Sequence, residues 1–545
     1  MPRSVRLALA LGAIMPPMAA AASPSPFAAP FGDIASDAPG CAVSVAQAGR
    51  APVSGGFGLA DIAAQRPITG RTVFGAASIS KQFTAFAILS LAQDGKLSLS
   101  DPARKFVPEL GTYADAITIA DLLHHMSGIR DFVSLNRIED GPAGRPVLTP
   151  ARVQQLLFRQ TGGEVPPGTE KVYSNSGYYL LSLVATRASG ETMQQLLDRL
   201  VFRPLGMRDT RVGDPDPALA GPVARSYAAA AGGSFEPVPP TPVVEGAGGM
   251  RTTAADLAKW MENFWTARAG GRRVVAMMIE PGRFRDGSPS DYAGGLTISR
   301  YRDLPVARHG GSLDGFRHQI VILPEQRFGV AVLCNRTDAR ASFRAEAVID
   351  AALARQLGPV SHSTPVLALE RGAHIDAAAV RPGAYRDTNG GEYLGIRKEG
   401  ERILLDYRGR SLPLVAVTPT VYATEPLVGW PIHIAFRPDR VAMEYAGDYD
   451  DFDWAPPWQP GDLSRWAGRY HSAEANATIT LAMAPDGKGL TATLGPATVP
   501  LHPGRPGEFA FLRGALIVPL DTPGRWISPF ILGLRGLRYE RVDKP

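Results

Sequence analysis

Cysteine is almost missing from this 545-residue chain: Cys41 and Cys334 are the only two. Two cysteines cannot build a disulfide scaffold or a thiolate metal cluster. The nine histidines are scattered, and the adjacent pair His124-His125 cannot chelate from one helix face. No metal and no organic cofactor is therefore expected. Charged residues make up only 20%, and the formal net charge is +5. A charge that weak and dispersed is no footprint for nucleic acid. Beyond the N-terminal stretch, no apolar run approaches the roughly 18 residues of a membrane span. A Gly-x-Ser-x-Gly elbow is also lacking, which removes the α/β-hydrolase reading. Widespread disorder is excluded by 45% hydrophobic residues.

What is present begins with a leader. Arg3 and Arg6 precede a mostly apolar stretch, Leu7 to Ala22, interrupted by Pro16-Pro17 and ending in Ala20-Ala-Ala. Residues 1–23 are expected to be a secretory signal, so the protein is expected to be periplasmic or secreted, with no integral membrane segment once it is removed. The cysteines lie in two strand-like runs, Cys41-Ala-Val-Ser-Val and Val330-Ala-Val-Leu-Cys334. An oxidising compartment permits a disulfide between them. Two buried thiols fit the same pattern equally well.

The patterning changes along the chain. Residues 32–358 mix strands with helices, as in an α/β (α+β) domain. Cys41–Ala46 and Val53–Leu59 alternate as a hairpin, and Ser78 to Asp94 has helical i, i+3, i+4 spacing closed by Gly95. Further helices are expected at 119–125, 152–159, 176–188, 254–265 and 344–357, and a hairpin at 316–333. Residues 359–378 read as a linker. Beyond them the helical period vanishes, and short β-runs fill 379–456 and 460–545. Pro382-Gly-Ala-Tyr385-Arg is echoed by Ala467-Gly-Arg-Tyr470-His. Two all-β antiparallel barrel domains are expected there.

Three motifs carry chemistry. Ser78-Ile-Ser-Lys81 places a hydroxyl at a helix start and an amine one turn later on the same face. The helix dipole favours developing negative charge on Ser78, and a desolvated lysine can exchange a proton with it. Tyr173-Ser-Asn175 offers a phenol, which as a phenolate near Lys81 would be a general base, and an amide to orient substrate. His309-Gly310-Gly311 is uninformative by itself. The histidines at 124 and 125 are assigned to helix packing.

The order of these motifs resembles the penicillin-recognising serine hydrolases of the class C β-lactamase-like family. Supporting stretches are Thr118-Ile-Ala-Asp-Leu-Leu-His-His-Met-Ser-Gly128, Pro167-Gly168, Arg203-Pro-Leu-Gly-Met207, Gly246-Ala-Gly-Gly249 and His309-Gly-Gly-Ser312-Leu-Asp-Gly-Phe316. The resemblance implies a serine β-lactamase/DD-peptidase-like catalytic domain in which Ser78 is acylated and Lys81 and Tyr173 share the proton work. It further implies that Asn175 positions substrate, that the Ser78 and Ser312 N–H groups form an oxyanion hole, and that Gly310 and Gly311 let a strand edge approach the acyl group. His309 stands where many lactamases have lysine, and the resemblance places it with Ser78, Lys81 and Tyr173 among the catalytic residues. A neutral histidine gives no permanent charge for a substrate carboxylate.

That departure, with two barrels behind the catalytic domain, resembles the D-aminopeptidase type, whose two appended barrels have eight strands each. The substrate implied is a small peptide, amide or ester with an N-terminal D-residue. An esterase, a D-Ala-D-Ala carboxypeptidase or a weak β-lactamase is the alternative, as is a non-hydrolytic penicillin-binding-like sensor. Assembly as a homodimer stays open. The type also implies a loop from the last barrel reaching the pocket. Asp521–Phe530 and Leu427–Trp430 are the candidates, with a plain hairpin the preferred reading of the first.

Overall fold

A computed structural model of the protein describes residues 27–139, 148–213, 221–240, 244–357, 369, 375–376, 379–388, 392–407, 410–424, 432–445, 448–456, 458–511, 514–531 and 534–543. The expected leader, most of the expected linker and Leu427–Trp430 fall outside these residues.

A six-stranded antiparallel sheet organises the first part. Its strands are β1 (Cys41–Gln47), β2 (Val53–Phe57), β3 (Thr297–Tyr301), β4 (Leu304–Leu313), β5 (Phe316–Leu323) and β6 (Phe328–Cys334), in the order β3-β4-β5-β6-β1-β2. The N-terminal hairpin thus pairs with the last strand. Because side chains alternate along a strand, each strand feeds two cores. Ala42 and Ala46 of β1, with Ala331 and Leu333 of β6, join the larger one. Cys41, Val43 and Val45, with Val330 and Val332, join the smaller one on the other face.

Five helices matter here: α1 (Ser80–Gln93), α2 (Ile119–Leu123), α3 (Asn175–Ser189), α4 (Ala254–Thr266) and α5 (Ala341–Leu353). Helix α4 covers the larger core, capped by Thr253, whose side chain accepts the Asp256 N–H. Helix α5 closes the smaller core. Helix α1 departs from the amphipathic expectation: every residue from Ser80 to Leu91 is buried. A helix enclosed on all sides is the hub of a domain, and it takes Lys81 out of water with it.

Cys41 and Cys334 are register partners on β1 and β6 and form a disulfide. The bond closes a separation of 293 residues. Crosslinks over long loops restrict the unfolded chain strongly, so its removal is expected to cost about 2–5 kcal/mol. Denaturant unfolding with and without reductant measures this, and a Cys41→Ala/Cys334→Ala variant unfolding at the same midpoint would contradict it.

The C-terminal region is all β. Nine strands from Gly383–Asp387 to Asp448–Ala455 form one antiparallel sheet. Its end strands, Arg410–Pro413 and Val415–Ala416, are separated only by Leu414, so the sheet wraps until its edges are chain neighbours. Residues 410–416 act as one strand broken at Leu414, pairing with Arg402–Tyr407 at one end and with Val421–Ala423 at the other, so the sheet is barrel-like, as expected. The last eight strands, Gly468–Ser472 to Tyr539–Arg541, do close into a barrel. The sequence echo has a structural counterpart. Tyr385 Oη donates to Arg381 O at 2.8 Å, and Tyr470 Oη donates to Trp466 O at 2.8 Å. Each tyrosine pins the opening strand of its sheet to the carbonyl four residues earlier.

Candidate active site

Ser78 sits in a 3-10 turn, Ala77–Ile79, directly before α1. Ala77 has φ 48°, a left-handed conformation that costs a non-glycine residue energy. The turn presents Ser78 as the partly exposed residue among buried neighbours. One turn on, Lys81 Nζ lies 3.2 Å from Ser78 Oγ. The ammonium also donates to Asn175 Oδ1 and to Ala247 O, each at 2.8 Å.

Tyr173 and Asn175 arrive from the start of α3. Ser174 caps that helix, its side chain accepting the Gly177 N–H at 3.3 Å. The cap turns the chain so that Tyr173, just outside, and Asn175, the first helical residue, both face α1. Tyr173 is 46% exposed, yet its hydroxyl points inward and donates to Ser78 Oγ at 2.9 Å. Asp131 accepts the Asn175 N–H at 2.6 Å.

The third motif lies on β4. Strand β3 pairs with β4 only as far as Arg308, which leaves the edge of His309–Leu313 open on that side. His318 on β5 ties this edge to the Ser78 segment by donating Nε2–H to Gly75 O at 2.7 Å. The two glycines differ. A Cβ on Gly311 would stand 2.9 Å from Ala76 O, closer than real side chains come, whereas a Cβ on Gly310 would meet nothing nearer than 3.6 Å. Close approach of the strand requires glycine at 311, and 310 has room. Ser312 is exposed beside them.

The electrostatics follow from burial. Desolvation pulls the Lys81 pKa down to about 7, with Asp131 opposing. The Tyr173 hydroxyl is pushed up, chiefly by desolvation and against the Ser78 hydrogen bond. The phenolate expectation is therefore reversed: at neutral pH Tyr173 holds its proton and Lys81 is poised to lose one. Burial and Lys81 hold His309 down at about 4. Its Nδ1–H donates to Gly310 O at 2.5 Å, and its Nε2 accepts from Tyr292 Oη at 2.9 Å.

Three neighbours escaped the sequence reading. Tyr292 carried no motif. Asp131 reaches Asn175 across 44 residues of sequence, a separation without period. His125 lay inside a quoted stretch but was assigned to packing. It is buried, has φ 59°, and packs at tilted angles among Tyr173, Tyr178 and Tyr292 with ring centroids 4.3, 5.0 and 4.4 Å away. Its carbonyl accepts the Val172 N–H at 2.7 Å and its Nδ1 accepts the Ser174 N–H at 3.2 Å. His125 thus brackets Tyr173 on both sides. His124 does pack, donating Nδ1–H to Tyr292 O at 3.0 Å.

A serine, a lysine and a tyrosine on one oxygen, beside an open strand edge, form an arrangement suited to acyl transfer. The Beta-lactamase family profile matches residues 27–354. The chain belongs to the Beta-lactamase family. As a member of that family with this site it is a serine hydrolase. Among curated relatives, the D-aminopeptidase of Cereibacter sphaeroides is 25% identical over 494 residues, 90% of each chain. The D-aminopeptidase of Brucella ovis is 27% identical over 315 residues, covering 58% of this chain and 60% of its own. A solved structure, the octameric penicillin-binding protein homologue from Pyrococcus abyssi, is 25% identical with a TM-score of 0.54, covering 76% of this chain and 96% of its own. The match to the Cereibacter protein takes in the β-rich C-terminal region, which the family profile does not reach. Among the described residues no helix of this Beta-lactamase-family protein is long and apolar enough to cross a membrane.

The pocket-loop expectation meets a different arrangement. Asp521–Phe530 is the plain hairpin: Trp526–Ile531 is a barrel strand, and Arg525 O accepts the Arg541 N–H at 3.1 Å. The barrel touches the catalytic domain elsewhere, through Glu474, Asn476 and the Arg535–Gly536 connection.

Proposed function

We propose that the protein is an exported serine hydrolase that releases N-terminal D-residues from short peptides, amides or esters through an acyl-enzyme on Ser78. The observation that carries this reading is the convergence of Lys81 Nζ and Tyr173 Oη on Ser78 Oγ, at 3.2 and 2.9 Å.

The neutral form of Lys81 accepts the Ser78 proton as Oγ attacks the acyl carbon. The C–O bond forms, and the oxyanion faces the N–H groups of Ser78 and Ser312. Collapse breaks the bond to the leaving amine, which takes its proton from Tyr173. Lys81 returns a proton to the phenolate, and water then resolves the ester by the same groups in reverse. Asn175 holds Lys81 and the substrate amide, and the open edge of β4 aligns the extended substrate backbone.

The D-aminoacyl preference is supported by the D-aminopeptidase relatives, one of them similar across 90% of the chain, and by the uncharged His309. A site without a cation at that place favours substrates lacking a carboxylate there, and disfavours penicillins and peptides read through their C-terminus. Export is supported by the N-terminal sequence and by the Cys41–Cys334 disulfide, which an oxidising compartment maintains.

Turnover of D-Ala-p-nitroanilide, a D-Ala-D-Ala peptide, a butyrate ester and nitrocefin tests the assignment. The D-aminoacyl anilide is expected to give the highest kcat/KM, and the L-enantiomer at least about tenfold less, a difference of about 1.4 kcal/mol. Absence of turnover on the D-anilide with activity on the ester would replace this reading by an esterase. Absence of turnover on all four, with Ser78 unlabelled by a fluorophosphonate, would leave the sensor.

A further inference from the structure

Among the contacts between the C-terminal barrel and the catalytic domain, one falls on a segment that adjoins the site. Arg130 lies there, with a guanidinium side chain only 2% exposed. Its Nη1 donates to Glu474 Oε2 at 2.7 Å, in the turn between the first two strands of the closed barrel. Its Nη2 donates to Gly536 O at 2.9 Å, between the last two. The contact is close: a Cβ on Gly536 would stand 3.3 Å from Gly163 O.

The same short segment holds the start of α3. Arg130 O accepts the Ser176 hydroxyl at 2.7 Å, and Asp131 Oδ2 accepts the Asn175 N–H at 2.6 Å. Asn175 Oδ1 in turn accepts from Lys81 Nζ at 2.8 Å. Barrel, Arg130, Asp131, Asn175 and Lys81 are therefore linked in one line, by polar contacts and by the peptide bond between Arg130 and Asp131. A second line runs beside it. Arg535 Nη2 meets Glu170 Oε2 at 2.6 Å, three residues before Tyr173. The barrel thus grips both the 130–131 segment, which holds Asn175, and the segment that carries Tyr173.

We propose that the last barrel is a positioning element of the catalytic centre, with Arg130, Glu474 and Arg535 as positioning residues that set Asn175 and Tyr173 against Lys81 and Ser78. The proposal rests on Ser78 being the reacting group. None of the three residues touches Ser78, and the barrel need not touch substrate. Catalytic contacts lose rate steeply with small displacements, up to about 100-fold for a shift of about 1 Å. A buried guanidinium deprived of its carboxylate draws in water or moves. Either displaces the Arg130–Asp131 segment.

The test uses the full chain with Glu474→Ala, Arg535→Ala and the double variant. The substrate is p-nitrophenyl acetate, chosen for its small acyl group. A fall in kcat of about tenfold is expected in the double variant, with KM within about threefold. Glu474→Gln, which keeps an acceptor oxygen toward Arg130, is expected to recover most of the rate. Hydrogen–deuterium exchange is expected to rise over 125–136 and 170–180 while other segments keep their protection. A kcat change smaller than about fivefold together with unchanged exchange in these segments would overturn the proposal. If the double variant does not fold, Arg535→Ala alone answers, because it leaves the Arg130–Glu474 pair intact. Failure of the Ser78 assignment is separable. It appears as labelling of the unaltered protein that survives Ser78→Ala, and the exchange measurement still reports the coupling.

Discussion

Ser78→Ala is expected to lower kcat by about 10⁴–10⁶-fold and to abolish covalent labelling by a fluorophosphonate. The size follows from the site's design. Lys81 and Tyr173 both converge on one oxygen, so removing it disables three groups at once. Residues acting as a unit lose almost everything together, and what survives comes from the oxyanion hole and binding. The fold should tolerate the change, because Ser78 is only partly buried and its turn is shaped by the left-handed Ala77. Active-site titration with the probe, followed by mass spectrometry of the labelled peptide, decides the matter. A labelled Ser78→Ala protein, or turnover within tenfold of the parent, would refute the nucleophile assignment.

Lys81→Met should cost about 10³–10⁴-fold in kcat/KM and erase a pH dependence centred near 7. With the amine pulled down to about 7 by burial, free base and ammonium are balanced at neutral pH. Only the free base can take the Ser78 proton. As pH falls below 7 the ammonium accumulates, and kcat/KM drops about tenfold per unit. As pH rises above 7 the rate levels off. An ester without an α-amine should be used, so that the limb belongs to the enzyme and not to the substrate. Tyr173→Phe discriminates the roles. Burial raises this phenol, so it serves as proton donor, and its loss should slow an anilide by about 10²–10³-fold while the limb near 7 stays. Disappearance of that limb in Tyr173→Phe, with its persistence in Lys81→Met, would exchange the two roles.

The neutral His309 sets a further boundary. Its Nε2 accepts from Tyr292 and its Nδ1–H is spent on Gly310 O. Both ring nitrogens are thus occupied within the protein, so the imidazole is held in one tautomer and offers no mobile proton to substrate. Its contribution is to shape the strand edge, which fits a site selecting backbone more than terminal charge.

Much of the site was legible in the residues because local geometry enforces it. Ser78 and Lys81 had to meet once the helix was recognised, since residues three apart share a face. Tyr173 and Asn175 straddle a serine cap, and the helical spacing after 176 foretold α3. Gly311 was legible as a close approach, and Gly310 looked the same although it has room for a side chain. Asp131, His125 and Tyr292 were not legible in their roles. They act across long separations where no period links partner to partner. The Arg130–Glu474 pair spans 344 residues, and nothing in either neighbourhood announces the other. The break at Leu414 in the first β-sheet escaped for another reason: Val415–Ala416, which continues the strand beyond it, has two residues, too few to show alternation.

The amino-acid sequence alone determined several helices and two hairpins of the catalytic domain, the order of three motifs, and the β character of the C-terminal third. These depend on side-chain periodicity and backbone turns, which act over a few neighbours. Tertiary structure decided the proton states and the unions. The Lys81 amine is pulled down because α1 is enclosed on every side, and Cys41 meets Cys334 because β1 pairs with β6. Desolvation and long-range pairing are properties of what surrounds a residue in space, and chain order does not encode them.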